Sequence, residues 1–169
     1  MSEPKSIATL LDTLPQVGEL RWIGIRPGRG EAMEPLARVR VHQGSGLEGD
    51  RYKGRSTSRR QVTLIQAEHL PVIAACSGHD SLEPEALRRN LLVSGINLLA
   101  LKGKQFRVGE VLLEHTGPCD PCSKMESLLG PGGYNAMRGH GGISARVLEE
   151  GEIAVGDAVW HEPGDFQLL

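Results

Sequence analysis

Two cysteines stand three residues apart in HTGPCDPCSKMESLLGPGG, His115–Gly133, and only three occur in the whole 169-residue chain. Cys119 and Cys122 admit three chemistries: structural zinc, a redox dithiol, or one working sulfur. Structural zinc asks for four ligands, normally two paired knuckles, and the second pair is missing. His115 and His140 lack knuckle spacing, and Cys76, alone in an apolar helical stretch, reads as a small core residue. A dithiol of the thioredoxin kind follows a strand within a βαβ rhythm and opens a long helix, and no such rhythm runs through this chain. The third chemistry comes from the residues that follow. SKME has the form of a capping box, Ser123 at the N-cap and Glu126 three residues on, with Gly130-Pro131 as the stop. Cys122 then lies just before a helix, where unpaired N–H groups, the helix dipole and Lys124 favour a thiolate. A thiolate is a nucleophile or a ligand for a soft metal. Cys119 sits farther back, beside Asp120, whose charge disfavours ionisation of its thiol.

A second candidate feature is cationic. From Asp50 to Arg60, DRYKGRSTSRR carries Arg51, Lys53, Arg55, Arg59 and Arg60 against one carboxylate. It reads as a solvated basic loop or as a site for phosphate or carboxylate. The whole chain has a net charge of −2, so nucleic acid is not an expected partner. No apolar run reaches the ~20 residues that span a bilayer, so a membrane is not expected either. The first residues lack the long apolar core of a signal peptide, and an odd cysteine count argues against a secreted disulfide framework. The cytoplasm is the expected compartment.

The elements that must position these residues read as mostly strands. Glycine is 22 of 169 and aromatics only 4%, a composition for turns and bulges between strands. Ser6–Leu14 places Ile7, Leu10, Leu11 and Leu14 at helical spacing before Pro15. GELRWIGIR, from Gly18, is a strand. LARVRVH, Leu36–His42, alternates, with Val39 and Val41 on one face. After a long glycine-rich loop come the strand QVTLIQ, a helix in AEHLPVIAAC, and a helix in SLEPEALRR with Ser81 as cap and Pro84 in the first turn. LLVSGINLLAL, KQFRV and EVLLEHTG are strand-like. ISARVLEEGEIAVGDAVW reads as two strands around EEGE, with Ile143, Ala145 and Val147 facing inward, before the turn into a last strand. Seven or eight strands without a βαβα rhythm predict a mainly β fold, a closed or nearly closed β-barrel with a few short peripheral helices. The expected division is an N-terminal extension with a short helix (1–17), the barrel (18–162) and a C-terminal tail (163–169).

PCSKM after a strand, together with GLEGDRY, RRNLLVSGINL, GKQFRVGEVLLE and ARVLEEGEIAVGDAV in that order, resembles the MOSC family, domains named after the C-terminal part of molybdenum cofactor sulfurases. The resemblance runs from about Gly18 to Trp160. It implies a β-barrel that holds a pterin-type molybdenum cofactor. It further implies that Cys122, within Pro121-Cys122-x-Lys124-Met125, is the catalytic sulfur: a ligand to molybdenum in the enzymes or a persulfide carrier in the sulfurases. Arg88 and Asn90 match an Arg-x-Asn before a strand and are expected to reach the cofactor from the strand's mouth, in the cleft that receives Cys122. Cys119 stands where many relatives have another residue, and its role stays open between a neighbouring thiol, a resolving thiol and a bystander. The anionic cofactor suits Arg51 and its neighbours. It also suits the glycine-dense GPGGYNAMRGHGG, with Arg138 and His140 beside it, where backbone can approach a flat ligand closely.

Two functions follow from the resemblance. One is a small molybdenum oxidoreductase that reduces N-hydroxylated compounds, with Cys122 on the metal and a small-molecule substrate at the open side. The other is a sulfur carrier that uses a Cys122 persulfide. The chain shows no pyridoxal-phosphate desulfurase domain, no cysteines for an iron–sulfur cluster and no GxGxxG fold, so electrons or sulfur are expected from a partner protein.

Overall fold

The structure, a computed structural model, describes residues 3–163. The expected tail, apart from Pro163, lies outside the described residues. In chain order the strands are β1 (Gly18–Ile25), β2 (Glu34–Leu36), β3 (Arg38–His42), β4 (Gly46–Leu47), β5 (Val62–Gln66), β6 (Leu91–Ser94), β7 (Gln105–Val108), β8 (Val111–Pro118), β9 (Ile143–Glu149), β10 (Gly151–Ala154) and β11 (Ala158–Glu162). The helices are α1 (Ile7–Leu11), α2 (His69–Ser77), α3 (Pro84–Leu87), α4 (Lys124–Leu129) and α5 (Gly133–Met137), with a 3₁₀ turn at Leu98–Leu101.

Seven strands close on themselves in the order β11-β7-β8-β9-β5-β6-β1, and β1 pairs back with β11. The fold is therefore mainly β with short helices, and of the closed or nearly closed barrel that the strand count predicts it is the closed one. β2 hangs on β1, and β3, β4 and β10 form a separate three-stranded sheet. All pairings are antiparallel except β5 with β6. That parallel pair needs a crossover, and the segment between them, containing α2 and α3, supplies it.

Alternation decides what fills the barrel. Val62 and Leu64, Leu91 and Val93, Leu113, and Ile143, Ala145 and Val147 meet inside, joined by Val39, Val41 and Ile153 of the small sheet. Leu20 and Ile23 both reach this core although three residues separate them, because β1 slips register between Leu20 and Trp22. A bulge of this kind re-aims side chains along a strand. The opposite faces of β5 and β6 form a second core. There Ile65 and Leu92 pack against Leu70 and Ile73 of α2, Leu87 of α3, Met125 and Leu129 of α4, and Met137 of α5. The chain leaves the barrel wall at the end of β8 and enters this helical layer at α4. The segment that makes the crossing is Cys119–Ser123.

Several local expectations change. SLEPEALRR yields only the short α3, with Pro84 in its first turn but Glu83, not Ser81, at its N-cap. LLVSGINLLAL holds one strand and the 3₁₀ turn, and the C-terminal stretch divides into three strands, β9, β10 and β11. In α1, Ser6 caps as its sequence suggests, yet Ile7, Leu10 and Leu11 are exposed. Only Leu14, past the end of the helix, packs on the core. Cys76 is exposed rather than a core residue.

Candidate functional site

Cys119 is buried and Cys122 is exposed. Backbone bonds fix the first: its N–H donates to the Gly142 carbonyl at 2.9 Å, and its carbonyl accepts from Arg89 Nη2 at 3.2 Å. Its sulfur accepts from Arg60 Nη2 at 3.4 Å. From there to Cys122 the chain belongs to no helix or strand. The geometry thus separates the thiols into a buried anchor and a presented sulfur.

The expected capping box is not formed. Ser123 is the N-cap of α4 but has helical backbone angles and makes no side-chain cap bond. Glu126 reaches forward instead, accepting from the N–H groups of Gly132 at 2.7 Å and Tyr134 at 3.0 Å. The cause is the turn at Gly130–Gly132, where Gly130 and Gly132 take positive φ and fold the start of α5 back over α4. Those bonds hold the Glu126 carboxyl below the usual carboxylate range. The glutamate thus ties α4 to α5 and steadies the layer carrying Cys122.

Arg89 is the main residue that the sequence reading passed over. It is 5% exposed, and its Nε donates to the Gly141 carbonyl at 2.9 Å while Nη1 donates to the Leu87 carbonyl at 3.1 Å. One guanidinium therefore spans the Cys119 loop, the glycine segment after α5 and the end of α3. Burial lowers its pKa from the ordinary value, and the nearby Cys119 sulfur partly counters that; Arg60, Cys122 and Arg26 are also close enough to act on it. Gly141 lies so near that a Cβ there would stand 2.3 Å from the Cys119 carbonyl oxygen. Arg26, at the end of β1, is locked to buried Asp50 by Nη2 to Oδ2 at 2.8 Å and by its backbone N–H to Oδ1 at 2.7 Å. Burial raises the Asp50 pKa, but these bonds outweigh it and the net shift is downward.

The other expected residues divide. Asn90 is fully buried, and its Oδ1 accepts from the N–H and the hydroxyl of Thr63, both at 3.1 Å, while Nδ2 donates to the Gly24 carbonyl at 3.1 Å. It fastens β5, β6 and β1 to one another. This corrects the expectation that its side chain projects from the strand mouth toward a ligand. Arg88 turns the chain with a left-handed φ of 57°, and its Nη1 holds the Glu31 carbonyl at 2.8 Å. It is Arg89 that reaches the thiol loop. Arg51 is exposed, its N–H donating to the Arg26 carbonyl at 2.7 Å. Arg138 is exposed, with only a long 3.5 Å contact to Asn135. His140 is half-buried, and its Nδ1 is the one buried side-chain nitrogen or oxygen without a hydrogen-bond partner among the described residues. Its ring meets that of His69 edge-on, with centroids 5.1 Å apart. Burial, and next the neighbouring His140, lower the His69 pKa.

The site thus combines a presented thiol, a clamped second thiol with Arg60 and Arg89 against it, and, one residue before the Gly141 that Arg89 holds, an imidazole nitrogen without a hydrogen-bond partner among the described residues. A closed seven-stranded barrel with a thiol loop leading into an outer helical layer defines the class of protein. The model of the MOSC domain matches residues 38–160, and the chain belongs to the MOSC domain family, which is associated with molybdenum cofactor binding.

Among solved structures, the chain resembles the YUAD protein from Bacillus subtilis with a TM-score of 0.75 at 22% identity, over 87% of this chain and 97% of that one. It also resembles YiiM from Geobacillus stearothermophilus, with a TM-score of 0.69 at 19% identity over 90% and 78% of the two chains. For YiiM from Escherichia coli the TM-score is 0.67 at 19% identity, over 86% and 70%. At these identities the likeness shows the fold. A search of curated proteins returns no significant match.

Proposed function

We propose that the chain binds a pterin-type molybdenum cofactor through Cys122 and works as a small oxidoreductase on N-hydroxylated compounds. The observation that carries this is the asymmetry of the two thiols, Cys122 presented and Cys119 clamped behind it. Among the described residues no group of three or more His, Cys, Asp or Glu side chains is placed to hold a metal, so Cys122 would be a single protein ligand to a metal otherwise held by its cofactor. The donor set fits an anionic cofactor: Arg60 and Arg89 beside the sulfur loop, and the unpartnered His140 Nδ1. When bound, the cofactor supplies two-electron oxygen-atom transfer.

The chain's own contribution is positional. Arg89 and Gly142 fix the loop backbone, Arg60 holds the Cys119 sulfur, and Glu126 keeps α4 and α5 together, so Cys122 stands on a rigid support. Arg51 and Arg138, both exposed, add positive potential for an anionic cofactor. A partner protein would supply the electrons.

A second reading has one observation in its favour. Two clefts open on the barrel, one at Asp12–Pro15 and Gly103–Gln105 and one beside β8, and Cys122 lines neither. An exposed thiol that lines neither of these two clefts suits a sulfur carrier that accepts a persulfide from a donor protein. Elemental analysis and intact mass of protein from a molybdate-replete host separate the two. The oxidoreductase reading expects molybdenum that Cys122→Ser loses completely at unchanged melting temperature. A carrier shows one extra sulfur on Cys122 and no molybdenum, and neither signal sinks both.

A further inference from the structure

The cleft beside β8 has a volume of about 590 Å³, within the range that small ligands occupy, and the oxidoreductase reading makes no use of it. Arg59, Lys102 and Arg146 line it against one carboxylate, Glu114. Arg146 neutralises that carboxylate, its Nη2 donating to Oε2 at 2.6 Å. Lys102 has no ion-pair partner among the described residues, and Arg59 is held in place. Arg59 Nη2 donates to the Thr116 carbonyl at 2.7 Å, and the Thr116 hydroxyl donates back to the Arg59 carbonyl. His115 also lines the cleft at 6% exposure, with no side-chain hydrogen bond to other described residues. Burial, together with the charge of Lys102, lowers its pKa, so at neutral pH it is an uncharged donor–acceptor. Leu99 and Pro118 give the cleft apolar walls. β8 slips register between His115 and Gly117, a bulge of the kind that re-aims side chains beside sites.

We propose that this cleft is a second binding site, for a small organic anion whose carboxylate or phosphate group meets Lys102 and Arg59 and accepts a hydrogen bond from His115. Its net positive lining selects the charge, and its apolar walls admit a hydrocarbon body. Cys122 is not among the residues that line the cleft, and the test uses no loaded cofactor.

The test follows the His115 imidazole resonance of the full chain, identified by its loss in His115→Gln, during salt-matched titrations with inorganic phosphate and, separately, benzoate. Saturable shifts are expected with at least one probe, along with a rise in the His115 titration midpoint as an anion settles beside it. Response to phosphate alone identifies a phosphate site, and response to benzoate alone a carboxylate site. Lys102→Gln and Arg59→Gln should each weaken binding roughly 10-fold, the effect of losing a charge-assisted bond, while Arg21→Gln, on the outside of β1, should leave it unchanged. Thermal melts confirm that each variant folds. The proposal is overturned if neither probe gives a saturable shift, if chloride gives the same shift, or if Arg21→Gln weakens binding as much as Lys102→Gln. Molybdenum content of the same preparations is read separately, so a protein without metal that still binds anion would sink the oxidoreductase reading and leave this one standing.

Discussion

Two buried polar regions, joined through the adjacent residues Arg89 and Asn90, obey opposite rules. Around Asn90, Thr63 and Gly24 the carboxamide oxygen takes two hydrogen bonds and the nitrogen closes onto the third strand. Around the thiol loop, a sulfur is presented to solvent, Arg60 has one contact to the other sulfur, and a buried imidazole nitrogen has no partner. A saturated network stiffens a wall and has nothing left for a ligand. An unsaturated one costs stability, and it is where a ligand finds unmet bonds. Substitutions should therefore separate the two regions by sign as well as by size.

The largest effect is expected at Asn90. Asn90→Ala strands the Thr63 N–H and the Gly24 carbonyl inside the wall, and buried groups left unpaired cost about 1–3 kcal/mol each. A loss of roughly 3 kcal/mol or more in urea unfolding is expected. A loss within error of zero would mean that the three strands do not depend on this residue and would blur the distinction.

Asp50→Asn comes next, at roughly 2–3 kcal/mol, because it leaves the half-buried Arg26 guanidinium without its countercharge. The same pair sets an acid limit. The folded pKa of Asp50 lies below its ordinary 3.8, so the folded state holds fewer protons there than the unfolded chain. Its contribution is complete above the ordinary value and disappears as pH falls through the lowered one. Wild-type stability should drop across that window and Asp50→Asn should not share this component. Parallel acid-unfolding curves would refute the assignment.

These two residues also mark what the sequence discloses. Strand alternation is legible because one side of each strand is apolar, so Val39 and Val41, or Ile143, Ala145 and Val147, declare the interior without tertiary knowledge. The strand count points to a barrel but leaves open whether it closes, because closure rests on the β1–β11 pairing that only the fold supplies. The thiol loop was legible from its cysteines and prolines. The partners of polar groups were not, because a side chain's hydrogen bonds depend on what the fold brings beside it. SKME has the letters of a capping box, yet Glu126 finds nearer donors in the turn that follows. In RRNLLV, matching Arg-x-Asn points to Arg88, and the run Leu91, Leu92, Val93, buried throughout, offers no alternation that would single out Arg89.

Cys119 tests the border between the regions. Its backbone belongs to the saturated kind and its sulfur to the other, with Arg60 as its one hydrogen-bond partner among the described residues. Cys119→Ser should keep the fold and weaken molybdenum retention roughly 10-fold, as loss of a supporting contact behind a metal ligand does. Metal content against chelator concentration measures it. A complete loss, equal to that of Cys122→Ser, would make the two sulfurs one functional unit and remove the asymmetry on which the proposed function rests.

The smallest effect should carry the opposite sign. His140 has a buried Nδ1 with no partner, a cost of about 1–3 kcal/mol that an apolar replacement removes. His140→Leu also gives up the edge-on contact with His69, worth about 0.5–1.5 kcal/mol. Taking the middle of each range, the balance is a gain of about 1 kcal/mol near pH 8, together with weaker cofactor retention. The pH response sharpens the argument. The folded pKa of His69 is lowered from 6.5, by burial first and then by His140, so below 6.5 the unfolded chain takes up a proton that the folded state refuses. Stability is full above that value and erodes as pH falls toward the lowered one. Removing His140 lets His69 protonate more readily when folded, so the variant should lose less than wild type between about pH 8 and about pH 5.5. Urea titrations at both values give the comparison. If His140→Leu is less stable at both, Nδ1 is already satisfied in solution, and this region is as saturated as the wall around Asn90.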